Sequence, residues 1–209
     1  PDNLDYEGAA IAADAVNTPW HCMRERAQIN PHDDVMLVGA GGGVGIHGVQ
    51  VAKVFGARVI AVDITEEKLE LASKWGADEV VNFRAIEDLA AEAKRLTDGK
   101  GVDAAIDFVG KPETFQACID GLAVGGRAVV IGAQPGDVKV NPVNLVITEQ
   151  IVTGSRHSTR AELIETMNIM ARGLVTPVVG KRLHFTEVEE LFQDLQDEKL
   201  LGRGALTYD

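Results

Sequence analysis

Five glycines fall within seven residues, at positions 39, 41, 42, 43 and 45, directly behind the apolar run at residues 35–38. A helical pattern opens at Val44 and continues to Phe55. Glycine tolerates positive φ and lets a backbone come close to a phosphate. The free N–H groups and positive end of the following helix then hold an anion. Strand, glycine turn and helix together read as a pyrophosphate cradle, against the alternative of a glycine-rich turn with no ligand. The frame matching Gly-x-Gly-x-x-Gly is Ala40-x-Gly42-x-x-Gly45, with Ala40 in the first glycine slot and Gly39 and Gly41 giving slack around it. Gly43 and Val44 are expected to present N–H groups to the pyrophosphate, and Val44 to support one face of a nicotinamide.

Asp63 closes the next apolar run, 21 residues after Gly42. An acid at that offset accepts hydrogen bonds from the adenosine ribose hydroxyls. A hydrogen bond to a charged group contributes about 1.5–3 kcal/mol. A 2′-phosphate would meet carboxylate repulsion there, and Ile64, Thr65 and Glu66 bring no cation to offset it. The expected cofactor is therefore NAD, not NADP. Lys68, one helical turn on, reaches the same ribose or is a solvated lysine.

These residues need elements to hold them. Strands are expected at residues 35–38, 58–63, 79–82, 102–108, 126–131 and 151–154, with helices at 43–55, 66–75, 86–97, 112–121 and 142–148 between them. The strand segments are near-continuous apolar runs, as in strands covered on both faces. The pattern implies an α/β fold, a Rossmann doubly wound six-stranded parallel sheet with right-handed crossovers. Ahead of it lie an alanine-rich helix at 9–14 and a second helix starting at Thr18-Pro19, running through residues 20–28 and ended by Asn30-Pro31. After residue 154, a helix (160–172), a strand (178–183), an acidic helix (186–195) and a strand (205–208) do not extend the alternation.

The 209 residues, 45% hydrophobic and 25% charged, suit a globular protein with a proper core. A net charge of −12 argues against nucleic acid or an anionic membrane as partner. Cys22 and Cys118 stand alone, without a Cys-x-x-Cys pair or disulfide framework, so a reducing, cytoplasmic compartment is expected. No apolar run reaches the roughly 18 residues of a membrane span.

Val38-Gly39-Ala40-Gly41-Gly42-Gly43-Val44-Gly45, with Val49-Gln-Val-Ala-Lys53, Gly56-Ala57 and Val59-Ile-Ala-Val-Asp63, resembles the coenzyme domain of the medium-chain alcohol dehydrogenases, zinc-type and NAD-dependent. Gly76-Ala-Asp78, Gly101-Val-Asp-Ala-Ala-Ile-Asp107, Gly125-Gly126 and Gly202-Arg203 continue the likeness in order over essentially the whole chain. The resemblance implies residues 18–155 as the NAD-binding domain. Residues 1–17 and 156–209 would return to a catalytic domain whose N-terminal part is absent here, leaving remnants that flank the sheet. It implies Asp14 as the third protein ligand of a catalytic zinc in the intact enzyme, and Thr18 against the nicotinamide. Backbone groups at Phe108, Val109, Ile131, Gly132 and Ala133 would hold the nicotinamide ribose and carboxamide, and Arg203 would contact the pyrophosphate.

The activity implied is hydride transfer between an alcohol and its ketone or aldehyde and NAD, zinc-assisted in the intact enzyme, with this portion alone inactive. A homodimer or homotetramer is implied, paired along the stretch from 138–140 to 151–154. Two rivals stand beside it: a zinc-free enone, quinone or acyl-CoA reductase of the same superfamily, and a non-catalytic nucleotide-binding module. His47 is a minor phosphate candidate. His21, His32 and His184 lack partners at metal-ligand spacing. Ser155-Arg156-His157-Ser158 lacks a nucleophile elbow and reads as a loop near the cofactor, with Arg156 a substrate-side candidate. The acidic residues 187–198 read as a solvated face.

Overall fold

The computed structural model describes residues 1–208. Six strands, β1 (Asp34–Val38), β2 (Arg58–Asp63), β3 (Glu79–Asn82), β4 (Val102–Asp107), β5 (Leu122–Val130) and β6 (Ile151–Gly154), lie in the order β3-β2-β1-β4-β5-β6. Every neighbouring pair is parallel. The order reverses between β1 and β4, so the crevice of a doubly wound sheet opens at their carboxyl ends. β7 (Val179–His184) and β8 (Arg203–Thr207) form a separate two-stranded parallel ribbon.

The helices are α1 (Tyr6–Ile11), α2 (Asn17–His21), α3 (Gly45–Val54), α4 (Glu66–Lys74), α5 (Leu89–Leu96), α6 (Pro112–Asp120), α7 (Pro142–Thr148), α8 (Arg160–Ala171) and α9 (Val188–Gln196). Alternation along the strands divides the core. Val35, Leu37, Val59, Ala61 and Ile106 pack with Ile11, Val16, Val49 and Ile169 from α3, α8 and the N-terminal helical run. Met36, Val38, Ile60, Val62 and Ala105 pack on the other face with Leu89, Ala93, Phe115 and Ile119 from α5 and α6. Each fully buried Val, Leu or Ile contributes about 1.5–3 kcal/mol, so both faces hold the sheet in place.

Several local expectations are corrected. The two N-terminal helices are one continuous helical run over residues 6–27, with π-helical turns at Ala12–Val16 and Cys22–Ala27. The Asn17 N–H reaches back five residues to the Ala12 carbonyl. This widened turn relieves the crowding a proline ring creates in a regular helix, and Pro19 sits inside the run without ending it. Gln28, at φ 51°, closes it in left-handed conformation before Asn30-Pro31 is reached. The helix expected from residue 86 starts at Leu89, because Asp88 caps it by accepting from the Ala91 N–H. β5 begins at Leu122, with a register shift against β4 between Val102 and Ala104. β4 ends at Asp107, leaving Phe108 in the following loop. The acidic helix starts at Val188 after a 3-10 turn, and the last strand starts at Arg203.

Candidate functional site

β1 delivers the chain into the glycine turn. Gly39 takes φ +80°, and the N–H groups of Gly39 and Ala40 both donate to the Val62 carbonyl, at 2.8 and 3.1 Å. Ala40, fully buried, fills the first fingerprint slot because the left-handed residue is Gly39. The turn folds back on itself. A Cβ on Gly45 would lie 2.0 Å from the Gly39 oxygen and 2.8 Å from Ala40 Cα. α3 starts at this point, with its N-terminus facing a cleft of about 470 Å³.

The cleft runs over the carboxyl ends of β1, β2 and β4, lined by the glycine turn, Asp63, Lys68, Phe108 and Val109, with Arg203 and Leu200 from the C-terminal segment. Asp63 is 6% exposed. Its Oδ2 accepts from the Gly41 N–H at 2.8 Å and its Oδ1 from the Ile64 N–H at 2.8 Å. Lys68 Nζ stands 3.9 Å from Oδ1. Two backbone bonds thus hold the carboxylate rigidly at the rim, with lone pairs remaining for a diol. Thr65 places Lys68 by capping α4, accepting from the Lys68 N–H. Glycine turn, helix N-terminus and rim carboxylate fit a dinucleotide.

At the carboxyl end of β4 lies a residue with no site role assigned from sequence. Asp107 is fully buried, and its Oδ1 accepts from the Val109 and Gly110 N–H groups at 2.8 and 3.0 Å. Its Oδ2 accepts from Thr114 Oγ1 at 2.7 Å. Burial raises its pKa, against these three hydrogen bonds. Asp107 therefore shapes the loop of Phe108 and Val109 rather than touching the cleft. The signal was an acid ending an apolar strand with a threonine seven residues on. Gly132 packs on that loop, where its Cβ would meet the Val109 carbonyl carbon at 2.2 Å. Ile131 and Gly132 donate their N–H groups to the Asp107 carbonyl. Ile131, Gly132 and Ala133 stand outside the lining of the cleft that Asp63 borders.

Asp14 and Thr18 share the N-terminal helical run, with Thr18 Oγ1 donating to Asp14 Oδ1 at 3.0 Å. Arg203 Nη2 donates to Asp14 Oδ2 at 2.5 Å. The Arg203 side chain also covers Gly43, where a Cβ would lie 2.7 Å from its Cδ. A catalytic zinc needs three protein ligands. Among the described residues no group of three His, Cys, Asp or Glu side chains is placed to hold a metal. Asp14 supplies one donor, already paired, so these residues alone do not fit a zinc ion.

His47 does not face the cleft. It is fully buried, with Nδ1 2.8 Å from the Gly43 carbonyl and Nε2 accepting from the Val178 N–H at 3.0 Å. Burial lowers its pKa to about 4. His21 is a structural partner, with Nδ1 2.9 Å from the buried Glu162, which also pairs with Arg24. Among the described residues Ser155 Oγ is buried without a hydrogen-bond partner, and His157 takes φ 48°. Burial pushes the Cys22 thiol up to about 12 and Cys118 upward too, so neither is a nucleophile.

The family model described as "Zinc-binding dehydrogenase" matches residues 43–172. The chain is 33% identical over 201 residues to the "NAD-dependent alcohol dehydrogenase" of Saccharolobus solfataricus, covering 96% of this chain and 57% of that protein. It is 32% identical over 209 residues to the "Acryloyl-coenzyme A reductase" of Metallosphaera sedula, covering 99% of this chain and 60% of that protein. Among solved structures, the alcohol dehydrogenase of the archaeon Aeropyrum pernix superposes with TM-score 0.88 at 32% identity, over 98% of this chain and 59% of that one. The chain thus spans somewhat under two thirds of the length of these relatives. By the family match and by relatives above 30% identity along nearly its whole length, the chain belongs to the zinc-binding dehydrogenase family.

Proposed function

We propose that the chain is the NAD-binding portion of an alcohol dehydrogenase, transferring hydride between an alcohol and its ketone or aldehyde. Residues 18–155 are the coenzyme domain, and residues 1–17 and 156–209 belong with a catalytic domain. Asp63 carries this reading: a buried carboxylate at the end of β2, beside the glycine turn, whose cation partner is Lys68 at 3.9 Å and not an arginine. It accepts the adenosine ribose hydroxyls and opposes a 2′-phosphate.

When bound, the nicotinamide supplies the hydride acceptor. The chain's own residues orient it. The N–H groups of Gly43 and Val44 at the start of α3 bind the pyrophosphate, helped by the helix dipole. Arg203 joins them by turning its guanidinium from Asp14, since its Cδ already lies over Gly43. Val44 and Thr18 support the nicotinamide face, and the loops of Phe108–Val109 and Ile131–Ala133 present backbone groups to its ribose and carboxamide. Lys68 assists Asp63 at the adenosine ribose. Zinc enters this reading only with two further ligands from outside these residues, joined by Asp14.

Calorimetric titration tests the proposal. NAD is expected to bind, and NADP about a hundredfold or more weaker. Absence of NAD binding, or a preference for NADP, overturns it. The Metallosphaera relative's name supports one alternative, an acyl-CoA double-bond reductase. Zinc content of the intact protein, with Asp14→Ala as control, separates the two. A non-catalytic nucleotide-binding module is separated by a hydride-transfer assay over a panel of alcohols.

The partner we propose besides an alcohol or carbonyl substrate is a second copy of the chain. β6 is one of the two edge strands of the sheet; its Ile151 is exposed, as are Val143, Val146 and Ile147 of the preceding α7. Sedimentation showing a dimer that Ile151→Lys dissociates supports this, and a monomeric wild type refutes it. A cytoplasmic setting without nucleic acid or membrane completes the reading. The net charge of −12 argues against nucleic acid and an anionic membrane, and the free Cys22 and Cys118 suit a reducing compartment.

A further inference from the structure

His47 stands one helical turn behind the glycine turn, and both of its ring nitrogens meet backbone. A carbonyl oxygen only accepts, so the Nδ1 facing Gly43 O at 2.8 Å carries the proton. The Val178 amide only donates, so the Nε2 it faces at 3.0 Å carries the lone pair. The two partners select one neutral tautomer. One turn further along α3, Gln50 Nε2 donates to the Thr176 carbonyl at 3.0 Å and Oε1 accepts from the Thr176 N–H at 2.8 Å. Residues 176–178 are thus held by side chains of α3. The hold extends to the cleft. The Val178 carbonyl accepts from the Arg203 N–H at 2.9 Å, and the Arg203 side chain returns to cover Gly43. The contacts close a ring: Gly43, His47, Val178, Arg203 and back to Gly43.

From this ring we propose that His47 is a positioning residue for the dinucleotide. It acts through Gly43 and Arg203 without touching the ligand. The Gly43 carbonyl and the Val44 N–H belong to one trans peptide and point in opposite directions. Anchoring the carbonyl toward the interior aims the Val44 N–H at the cleft. Anchoring Val178 sets where β8 begins, and so where Arg203 crosses the turn. Burial disfavours an imidazolium, and the Arg203 charge adds to it; an imidazolium would also set an Nε2–H against the Val178 N–H. Asp14 is the acid paired with Arg203.

The inference rests on the NAD reading, and the test separates the two. NAD is titrated by calorimetry into the intact protein, its His47→Leu variant and its His47→Gln variant. Wild type that fails to bind NAD defeats the underlying reading. Wild type that binds while His47→Leu binds equally well defeats this inference alone. The expected result is about tenfold weaker binding for His47→Leu, or ~1.4 kcal/mol. His47→Gln, which keeps an acceptor for Val178, is expected within about threefold of wild type. A glutamine variant as weak as the leucine variant overturns the inference, because loss of packing would then explain both. Should the leucine variant fail to fold, ring 15N correlations of wild type at pH 6 decide it. A neutral Nδ1–H imidazole, with the Val178 amide signal shifting on NAD addition, supports the inference. An Nε2–H tautomer or an imidazolium overturns it.

Discussion

Replacing Asp63 with asparagine keeps its shape and removes its charge, so it isolates what the carboxylate does at the cleft rim. Asp63 accepts two backbone N–H groups at 2.8 Å. The amide retains one oxygen for one of them, so stability is expected to fall by about 1 kcal/mol, with the fold intact. The ligand terms are larger. Ribose hydroxyls bound to a carboxylate contribute about 1.5–3 kcal/mol each, and a neutral amide recovers about half of that. NAD binding should weaken by about 2–3 kcal/mol, roughly 30- to 150-fold. For NADP the sign reverses. A 2′-phosphate about 4 Å from a carboxylate meets roughly 4 kcal/mol of repulsion per charge at an effective dielectric constant of 20, and the variant removes it. Lys68, 3.9 Å from Asp63 Oδ1, is then left to face the phosphate. The preference for NAD should collapse to near parity. Calorimetric titration of both cofactors into both proteins, with circular dichroism as a fold check, measures each quantity. NAD affinity within threefold of wild type, or an unchanged preference in a folded variant, refutes the reasoning.

Other substitutions probe the scaffold. Gly45→Ala drives a Cβ to 2.0 Å from the Gly39 oxygen; a loss of about 3 kcal/mol is expected, lowering the Tm by roughly 10 °C. Gly99→Ala, at φ +84° with open space around it, serves as control and should cost only about 1–2 kcal/mol. Asp107→Leu leaves the Val109 and Gly110 N–H groups and the Thr114 hydroxyl without their acceptor; a loss of about 3 kcal/mol by urea denaturation, with weaker NAD binding, is expected. For pH, burial lowers the His47 pKa from 6.5 to about 4. The unfolded chain takes up a proton below about 6.5 and the folded chain does not until about 4, so this contribution is complete above pH 6.5 and is lost as pH falls. Urea denaturation at pH 7 and pH 5 should differ by about 2 kcal/mol more for wild type than for His47→Gln; equal differences would count against the buried, neutral imidazole.

Much of the sheet was legible because its strands carry their own signal. Apolar runs such as Val59–Val62, closed by Asp63 and interrupted at near-regular intervals by glycines, specify buried parallel strands whatever packs on them. The glycine turn was legible for the same local reason: clustered residues without a Cβ serve close approach. The N-terminal helices were less legible. Thr18-Pro19 carries a start signal in any local reading, and it is overridden by a π turn that buried neighbours stabilise.

The linear order of residues was enough to specify a doubly wound sheet, a glycine turn facing its crevice and an acid closing β2 beside that turn, because these depend on periodicity and on spacings under about thirty residues. Partners far apart in the chain were not written there. His47 and Val178 are 131 residues apart, and Asp14 and Arg203 are 189 apart. A histidine after a glycine turn is chemically suited to a phosphate. Folding turns it inward, because the returning C-terminal segment offers it a buried N–H and the Gly43 carbonyl takes its proton. Which polar groups face the cleft and which support it from behind is set when distant segments compete for the same hydrogen bonds, and that competition exists only once the chain has packed.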